Sequence, residues 1–306
     1  MGQIAFAFSG QGAQYSGMGK SLYDESPAAK ELFDVLEGIR PGTLAQCFSG
    51  SDAQLKDTAN TQPCIFAVSL AAALSLGERG IFPKALAGFS LGELSALTFG
   101  GAFSLADGFS LVVKRGALMA KAAADFPSAM AAVMKLPATQ VEALAANFRQ
   151  IYPVNYNCPG QTVVAGDLDE LSAFGAAVKE AGGRAIPLKV GGGFHSPYMA
   201  SAGQAFEQVL SGFEIAPLQY PLYANLTGRP YGETLTQTLL KQMTSPVQWQ
   251  KTIENMVADG VDTFIELGPG KTLKGFIEKC TPCATTYHVE DMDSLEETVS
   301  ACRARF

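Results

Sequence analysis

The stretch Ala85-Leu86-Ala87-Gly88-Phe89-Ser90-Leu91-Gly92-Glu93-Leu94 decides how the rest of the chain is read. Its small and apolar opening predicts a short buried strand. Gly88-Phe89-Ser90-Leu91-Gly92 then fits the Gly-x-Ser-x-Gly pattern of a sharp strand-to-helix turn, and the spacing after it becomes helical through Gly100-Gly101. Such a turn exposes a serine oxygen at its apex, while the N-terminus of the following helix offers N–H groups to a developing oxyanion. Working outward, residues 4–9 (IAFAFS) read as a buried strand that ends in the turn Gly10-Gln11-Gly12, and the nearly continuous apolar run from Gln62 to Gly80 reads as a helix buried on most sides. Ser104 to Ala124 predicts another helix, with Asp107 near its start. Apolar strands alternating with helices predict an α/β fold whose parallel sheet is covered on both faces.

Between Ser128 and Lys189 the rhythm shortens. Residues 129–136, 151–157, 162–167 and 184–190 read as strands, and 138–148 and 168–182 as helices. This βαββαβ order predicts an inserted ferredoxin-like subdomain over 126–190, with the main domain formed by 1–125 and 191–306. An insertion of this kind places a cleft at the junction, a common setting for a binding site. Helices are expected at Tyr198–Leu210, Leu235–Met243 and Trp249–Asp259, and a strand at 262–267 before Gly268-Pro269-Gly270.

Composition narrows the classes of function. With 47% hydrophobic and 17% charged residues the chain has ample material for a core and is unlike a disordered segment. The longest apolar run, Cys64 to Leu76, is broken by Ser69 and Ser75 and falls short of the roughly 20 residues that cross a bilayer, so no membrane span is expected. The N-terminal MGQIAFAFSG lacks a basic segment ahead of its short apolar run, and a cytoplasmic location is expected. Six scattered cysteines read as reduced thiols, and Cys280 and Cys283 lack further ligands to complete a metal site. A net charge of −7 without a basic run argues against nucleic acid. Arg184, Lys189, Lys271 and Lys274 either form a local basic patch for an acidic partner or are ordinary solvated residues.

A serine needs a base before it is an effective nucleophile. The chain has two histidines. His288, in TTYHVED at a polar strand end, reads as solvated, whereas His195, in GGGFHSPYM, lies on a loop at the start of a helix and is the candidate base. No acid lies near His195 in sequence, so its ring is oriented either by a distant acid or by a carbonyl. Arg115, in LVVKRGALMA, sits in a buried-looking helix and needs an anionic partner, either a substrate carboxylate or a structural acid.

Eight segments, in order FSGQGAQYSGMG, TQPCIF, GFSLGELSAL, KRGALM, YNCPGQTVVAG, GGFHSPYM, SPVQWQ and ELGPGKTLKG, resemble the acyltransferase family of fatty-acid and polyketide synthesis, the malonyl-CoA:acyl carrier protein transacylases, over nearly the whole chain. The resemblance implies a hydrolase-like α/β main domain with the ferredoxin-like insertion. It implies Ser90 as the acylated nucleophile, His195 as the base, and the main-chain carbonyl of Gln248 orienting the imidazole. Gln11 and the N–H of Leu91 would form the oxyanion hole, and Arg115 would hold the free malonyl carboxylate. Phe194 would crowd the extra methyl of a branched acyl group, a discrimination worth about 1–3 kcal/mol. The implied partners are malonyl-CoA, or coenzyme A, and an acidic, phosphopantetheinylated acyl carrier protein, with no metal or other cofactor. Phe89 departs from the family, where histidine usually precedes the nucleophile.

Overall fold

The computed structural model describes residues 2–305. β1 (Gln3–Phe8) is followed by four helices, α1 (Lys20–Glu25), α2 (Pro27–Ile39), α3 (Thr43–Ser49) and α4 (Asp52–Lys56), and then by the long α5 (Thr58–Glu78). β2 (Ala85–Gly88) leads into α6 (Leu91–Phe99) and α7 (Leu105–Asp125). The shorter rhythm becomes β3 (Ala129–Met134), α8 (Ala138–Ala145), β4 (Ile151–Cys158), β5 (Gln161–Gly166), α9 (Leu168–Glu180) and β6 (Arg184–Pro187). The chain then forms α10 (Ala200–Leu210), β7 (Leu222–Tyr223), α11 (Leu235–Gln242), α12 (Trp249–Ala258), β8 (Val261–Leu267), α13 (Thr272–Cys280), β9 (Thr285–Val289) and α14 (Met292–Arg305).

Helix starts follow the capping chemistry of the sequence. Ser26 accepts from Ala29 N–H ahead of Pro27, Ser104 accepts from Asp107 N–H, and Asp167 accepts from Asp169 and Glu170 N–H. Five strands in the order β7-β2-β1-β8-β9 form one all-parallel sheet. In β1, Phe6 and Phe8 enter the core with α5, α6 and α7, while Ala5 and Ala7 pack with Trp249, Ile253 and Leu273 on the opposite face. Both faces are covered, as the continuous apolar strands predict. α5 is long and apolar enough to span a membrane by composition, yet it is buried against α2, α6 and α7 as a core helix.

A second, antiparallel sheet has the order β4-β5-β3-β6, the arrangement of a ferredoxin-like unit. Val133, Val164 and Phe174 pack under α8 and α9 on one face, whereas Met130, Ala132 and Val163 join the main core on the other. β4 is also fastened to the loop ahead of α12, through Tyr156 N–H to the Val247 carbonyl and Val247 N–H to the Val154 carbonyl, both at 2.9 Å. The space between the sheets lies over the C-terminal ends of β1, β2 and β8, where parallel sheets place their ligands.

Candidate active site

Ser90 stands between β2 and α6 with φ 53° and ψ −106°, a conformation that costs about 1–3 kcal/mol and persists only when its surroundings impose it. Three hydrogen bonds do so here. Ser90 N–H donates to Asn225 Oδ1 (2.7 Å), Asn225 Nδ2 donates to the Gly88 carbonyl (2.5 Å), and Gln242 Nε2 donates to the Ser90 carbonyl (2.7 Å). The flanking glycines are steric requirements. A Cβ on Gly92 would lie 2.1 Å from the Phe8 carbonyl oxygen, and one on Gly88 would lie 2.0 Å from the Gly92 carbonyl oxygen. Because both obstacles are backbone, Gly92→Ala is expected to destabilise the fold by about 3 kcal/mol, the upper end of ordinary overpacking. Urea unfolding checks this, and an unchanged midpoint would refute the steric reading of the turn.

His195, 3% exposed on the loop before α10, places Nε2 2.6 Å from Ser90 Oγ. Its Nδ1 lies 2.9 Å from the carbonyl oxygen of Gln242. A carbonyl can only accept, so Nδ1 carries the hydrogen and Nε2 presents its lone pair to the serine hydroxyl. The sequence reading assigned the orienting carbonyl to Gln248, and the structure corrects this. The Gln248 carbonyl is engaged by Thr252 N–H (2.9 Å) and Thr252 Oγ1 (3.0 Å) at the start of α12. Gln242 closes α11, where helix carbonyls lack intrahelical donors, and its oxygen accepts from the imidazole beside a longer bond from Ser245 N–H (3.4 Å). His288 also departs from expectation. It is 9% exposed on β9, with Nε2 3.8 Å from Glu290 Oε1, and lines neither cavity described below.

Arg115 projects from α7 and is 1% exposed. Its Nη1 donates to Gln62 Oε1 (2.8 Å), and its Nη2 donates to Gln242 Oε1 (2.9 Å) and more distantly to Ser90 Oγ (3.4 Å). The other end of the Gln242 amide donates to Glu93 Oε2 (2.8 Å), so one glutamine couples a buried cation to a buried acid and also holds the base. Glu93 Oε1 accepts from Asn225 N–H and Tyr231 Oη, each at 2.8 Å. Sequence reasoning missed Glu93, Gln62, Gln242 and Asn225. The available signal was an acid inside the apolar LGELSAL, since a carboxylate in such a helix must be paired.

Burial pushes the Glu93 carboxyl up to about 7, against the pull of its hydrogen-bond donors and Arg115. Burial likewise lowers the Arg115 guanidinium to about 10, opposed by Glu93, which leaves it charged at neutral pH. His195 is pushed down to about 4 by burial and then by the positive charge of Arg115, despite the carbonyls of Gln242 and Ser245. The imidazole is consequently neutral above that value and able to accept a proton. Reaction of Ser90 with an uncharged sulfonyl fluoride should therefore stay level from neutral pH downward and fall only as His195 protonates near pH 4. A decline centred near 6.5 would contradict the buried, neutral base.

Ser90, His195, Arg115, Leu91, Gln11 and Phe194 all line one cavity of about 70 Å³. Leu91 opens α6, so its N–H is among the donors a helix leaves unpaired, while Gln11 Nε2 donates to Thr58 Oγ1 at 3.3 Å. Phe194 is 7% exposed and packs into the main core. Phe89 sits edge-on to Trp249 at 5.5 Å between centroids and against Phe276 at 6.4 Å, giving an apolar wall beside the serine. The cavity shares Gln11, Phe89, Asn155, Leu188 and Val190 with an outer chamber of about 360 Å³. A serine hydroxyl hydrogen-bonded to a neutral imidazole, beside a buried cation and a second cavity, is an arrangement that suits acyl transfer from a carboxylate-bearing donor.

Residues 5–294 match the acyl transferase domain family. The chain is 36% identical to the malonyl CoA-acyl carrier protein transacylase of Bacillus subtilis, over 99% of this chain and 98% of that protein. The structure superposes on the malonyl CoA-acyl carrier protein transacylase of Clostridium perfringens with a TM-score of 0.96 and 37% identity, covering 99% of this chain and 98% of that one. It also superposes on a malonyl-transacylase solved in complex with a type II PKS acyl-carrier protein, with a TM-score of 0.93 and 31% identity over 98% of this chain and 99% of that one.

Proposed function

The chain belongs to the acyl transferase domain family, and from that premise we propose that it transfers malonyl from malonyl-CoA to the phosphopantetheine thiol of an acyl carrier protein, supplying extender units for fatty-acid or polyketide synthesis. The observation that carries this reading is Ser90 Oγ lying 2.6 Å from a neutral His195 Nε2 and 3.4 Å from Arg115 Nη2. A nucleophile, its base and a cation that suits the far carboxylate of a short diacid thus meet at one oxygen.

In the first half-reaction Ser90 Oγ attacks the thioester carbonyl carbon and its proton passes to His195 Nε2. The resulting imidazolium keeps Nδ1–H on the Gln242 carbonyl, which holds the ring in register. The oxyanion forms beside the Leu91 N–H and the Gln11 amide, fixed donors that need no reorganisation as charge develops. Cleavage of the C–S bond gives malonyl-Ser90, and the departing sulfur takes the proton back from His195. In the second half-reaction the carrier thiol yields its proton to His195 and attacks the ester carbon, after which Ser90 Oγ leaves and recovers the proton. Arg115 holds the free malonyl carboxylate throughout, two charge-assisted bonds fitting its fork. Phe194 narrows the space beside the acyl α-carbon. Exchange of an acyl group between two thiols moves no electrons and requires no metal or redox cofactor. We place the enzyme in the cytoplasm with its thioester substrates.

Brief exposure to malonyl-CoA followed by intact-protein mass measurement tests the nucleophile. A malonyl adduct is expected on the native chain and not on Ser90→Ala, whereas an adduct that survives in Ser90→Ala would overturn the assignment.

A further inference from the structure

Arg115 is a buried cation that, among the described residues, forms no ion pair with an acid. Its terminal nitrogens meet carboxamide oxygens instead, Gln62 Oε1 on Nη1 at 2.8 Å and Gln242 Oε1 on Nη2 at 2.9 Å. The negative charge stands one residue further away. Glu93, 0% exposed on α6, accepts from Gln242 Nε2 on Oε2 at 2.8 Å, while its Oε1 accepts from Asn225 N–H and Tyr231 Oη. The direction of the Gln242 amide is fixed by what its neighbours can do. A guanidinium only donates, so Oε1 faces Arg115, whereas the Glu93 carboxylate and the Ser90 carbonyl (2.7 Å) only accept and both require Nε2. A half-turn of the amide would set N–H against N–H at Arg115 and oxygen against oxygen at Glu93 and Ser90.

We propose that Glu93 is a positioning residue for donor selection: by holding the Gln242 amide it gives Arg115 a counter-charge through an intervening group and keeps the guanidinium fork open for the acyl carboxylate. The inference rests on the transacylase reading above and deepens its account of how the donor is chosen. A direct carboxylate on an arginine is commonly bidentate, and an acid placed so would occupy the two nitrogens that the malonyl carboxylate needs. An interposed amide takes a single N–H from Nη2. The anion behind it polarises the amide and strengthens Oε1 as an acceptor, which offsets part of the cost of burying the cation. The sequence left Arg115 with either a substrate carboxylate or a structural acid for its partner, and this link accommodates both. The base is outside this arm, since His195 Nδ1 uses the main-chain carbonyl of Gln242, which does not turn with the side-chain amide.

Glu93→Gln keeps the side chain's shape but leaves one oxygen for donors that now sit on two. The main-chain N–H of Asn225 cannot turn away and claims it, so the Gln242 amide loses its acceptor and swings its own N–H toward Arg115. The ratio of kcat/KM with malonyl-CoA to that with acetyl-CoA should fall about tenfold, with the loss in KM for malonyl-CoA. A merely structural role lowers both donors together, so equal losses, or an unchanged ratio, would overturn the proposal. A double-mutant cycle reads the route through the amide. Gln242→Met alone should lower the same ratio by a similar factor, and Glu93→Gln added to it should lower the ratio no further, whereas additive losses would overturn the link. Should Glu93→Gln fail to fold, Glu93→Asp keeps the charge while drawing its oxygens back from Gln242. The same fall in the ratio is expected there, and a native ratio would overturn the proposal. Failure of the native chain to take malonyl from malonyl-CoA would instead overturn the transacylase reading, and this inference with it.

Discussion

Replacement of His195 by alanine is expected to slow malonylation of Ser90 by about 10²- to 10⁴-fold, the usual contribution of a positioned general base. The magnitude follows from the absence, among the described residues, of a substitute base at the serine. Within hydrogen-bond distance of Ser90 Oγ stand His195 Nε2 at 2.6 Å and Arg115 Nη2 at 3.4 Å, and a guanidinium that stays charged cannot accept the proton. Glu93 is occupied by Asn225, Tyr231 and Gln242 and makes no contact with the serine oxygen. Single-turnover acylation with malonyl-CoA, read by mass, measures the loss. A variant that acylates within threefold of the native rate would remove His195 from the mechanism.

Arg115→Ala is expected to lower kcat/KM for malonyl-CoA by about 10²- to 10³-fold, the scale of removing one partner from a buried charge pair. The loss should be selective. Acetyl-CoA has no carboxylate to lose, so the ratio of malonyl to acetyl transfer is the informative quantity, and it should fall by most of that factor. Removal of the cation also leaves Glu93 without its nearby positive charge and frees the Gln242 Oε1 acceptor, so thermal stability has to be measured alongside. Equal losses with both donors would assign Arg115 to the framework of the site and not to the acyl group.

The large α/β pattern was legible because its signals are local. Strand β2, the Gly88 and Gly92 turn and α6 lie within one short run of sequence, and the alternation of Phe6 and Phe8 with Ala5 and Ala7 maps directly onto the two faces of the sheet. The βαββαβ segment was legible for the same reason. Helices α1 to α4 were not read: α1, α3 and α4 are short and depend on packing against α5 and on caps such as the Ser51–Gln54 capping box of α4, while the 13-residue α2 went unread despite its Ser26-Pro27 start. β7 is a two-residue strand that exists because β2 pairs with it.

At the site, residue types were readable and their connections were not. A serine, a histidine and an arginine in apolar or glycine-rich settings announce themselves, but sequence offers two glutamines near one another in the segment that closes over the imidazole. Only the end of α11 shows that Gln242 supplies the carbonyl. Likewise, the link from Glu93 through Gln242 to Arg115 joins residues from α6, α11 and α7 and leaves no pattern along the chain. His288 was misread because its polar neighbours in sequence do not report the cover that α14 provides over β9.

The most direct measurement of the central claim is a chase. Isolated malonyl-Ser90 protein is mixed with holo acyl carrier protein, and the masses of both proteins are followed with time beside a sample left in buffer. The expected result is rapid loss of malonyl from the chain, its matching appearance on the carrier, and slow decay in buffer. Release of malonate at the same rate with and without carrier would contradict the transacylase.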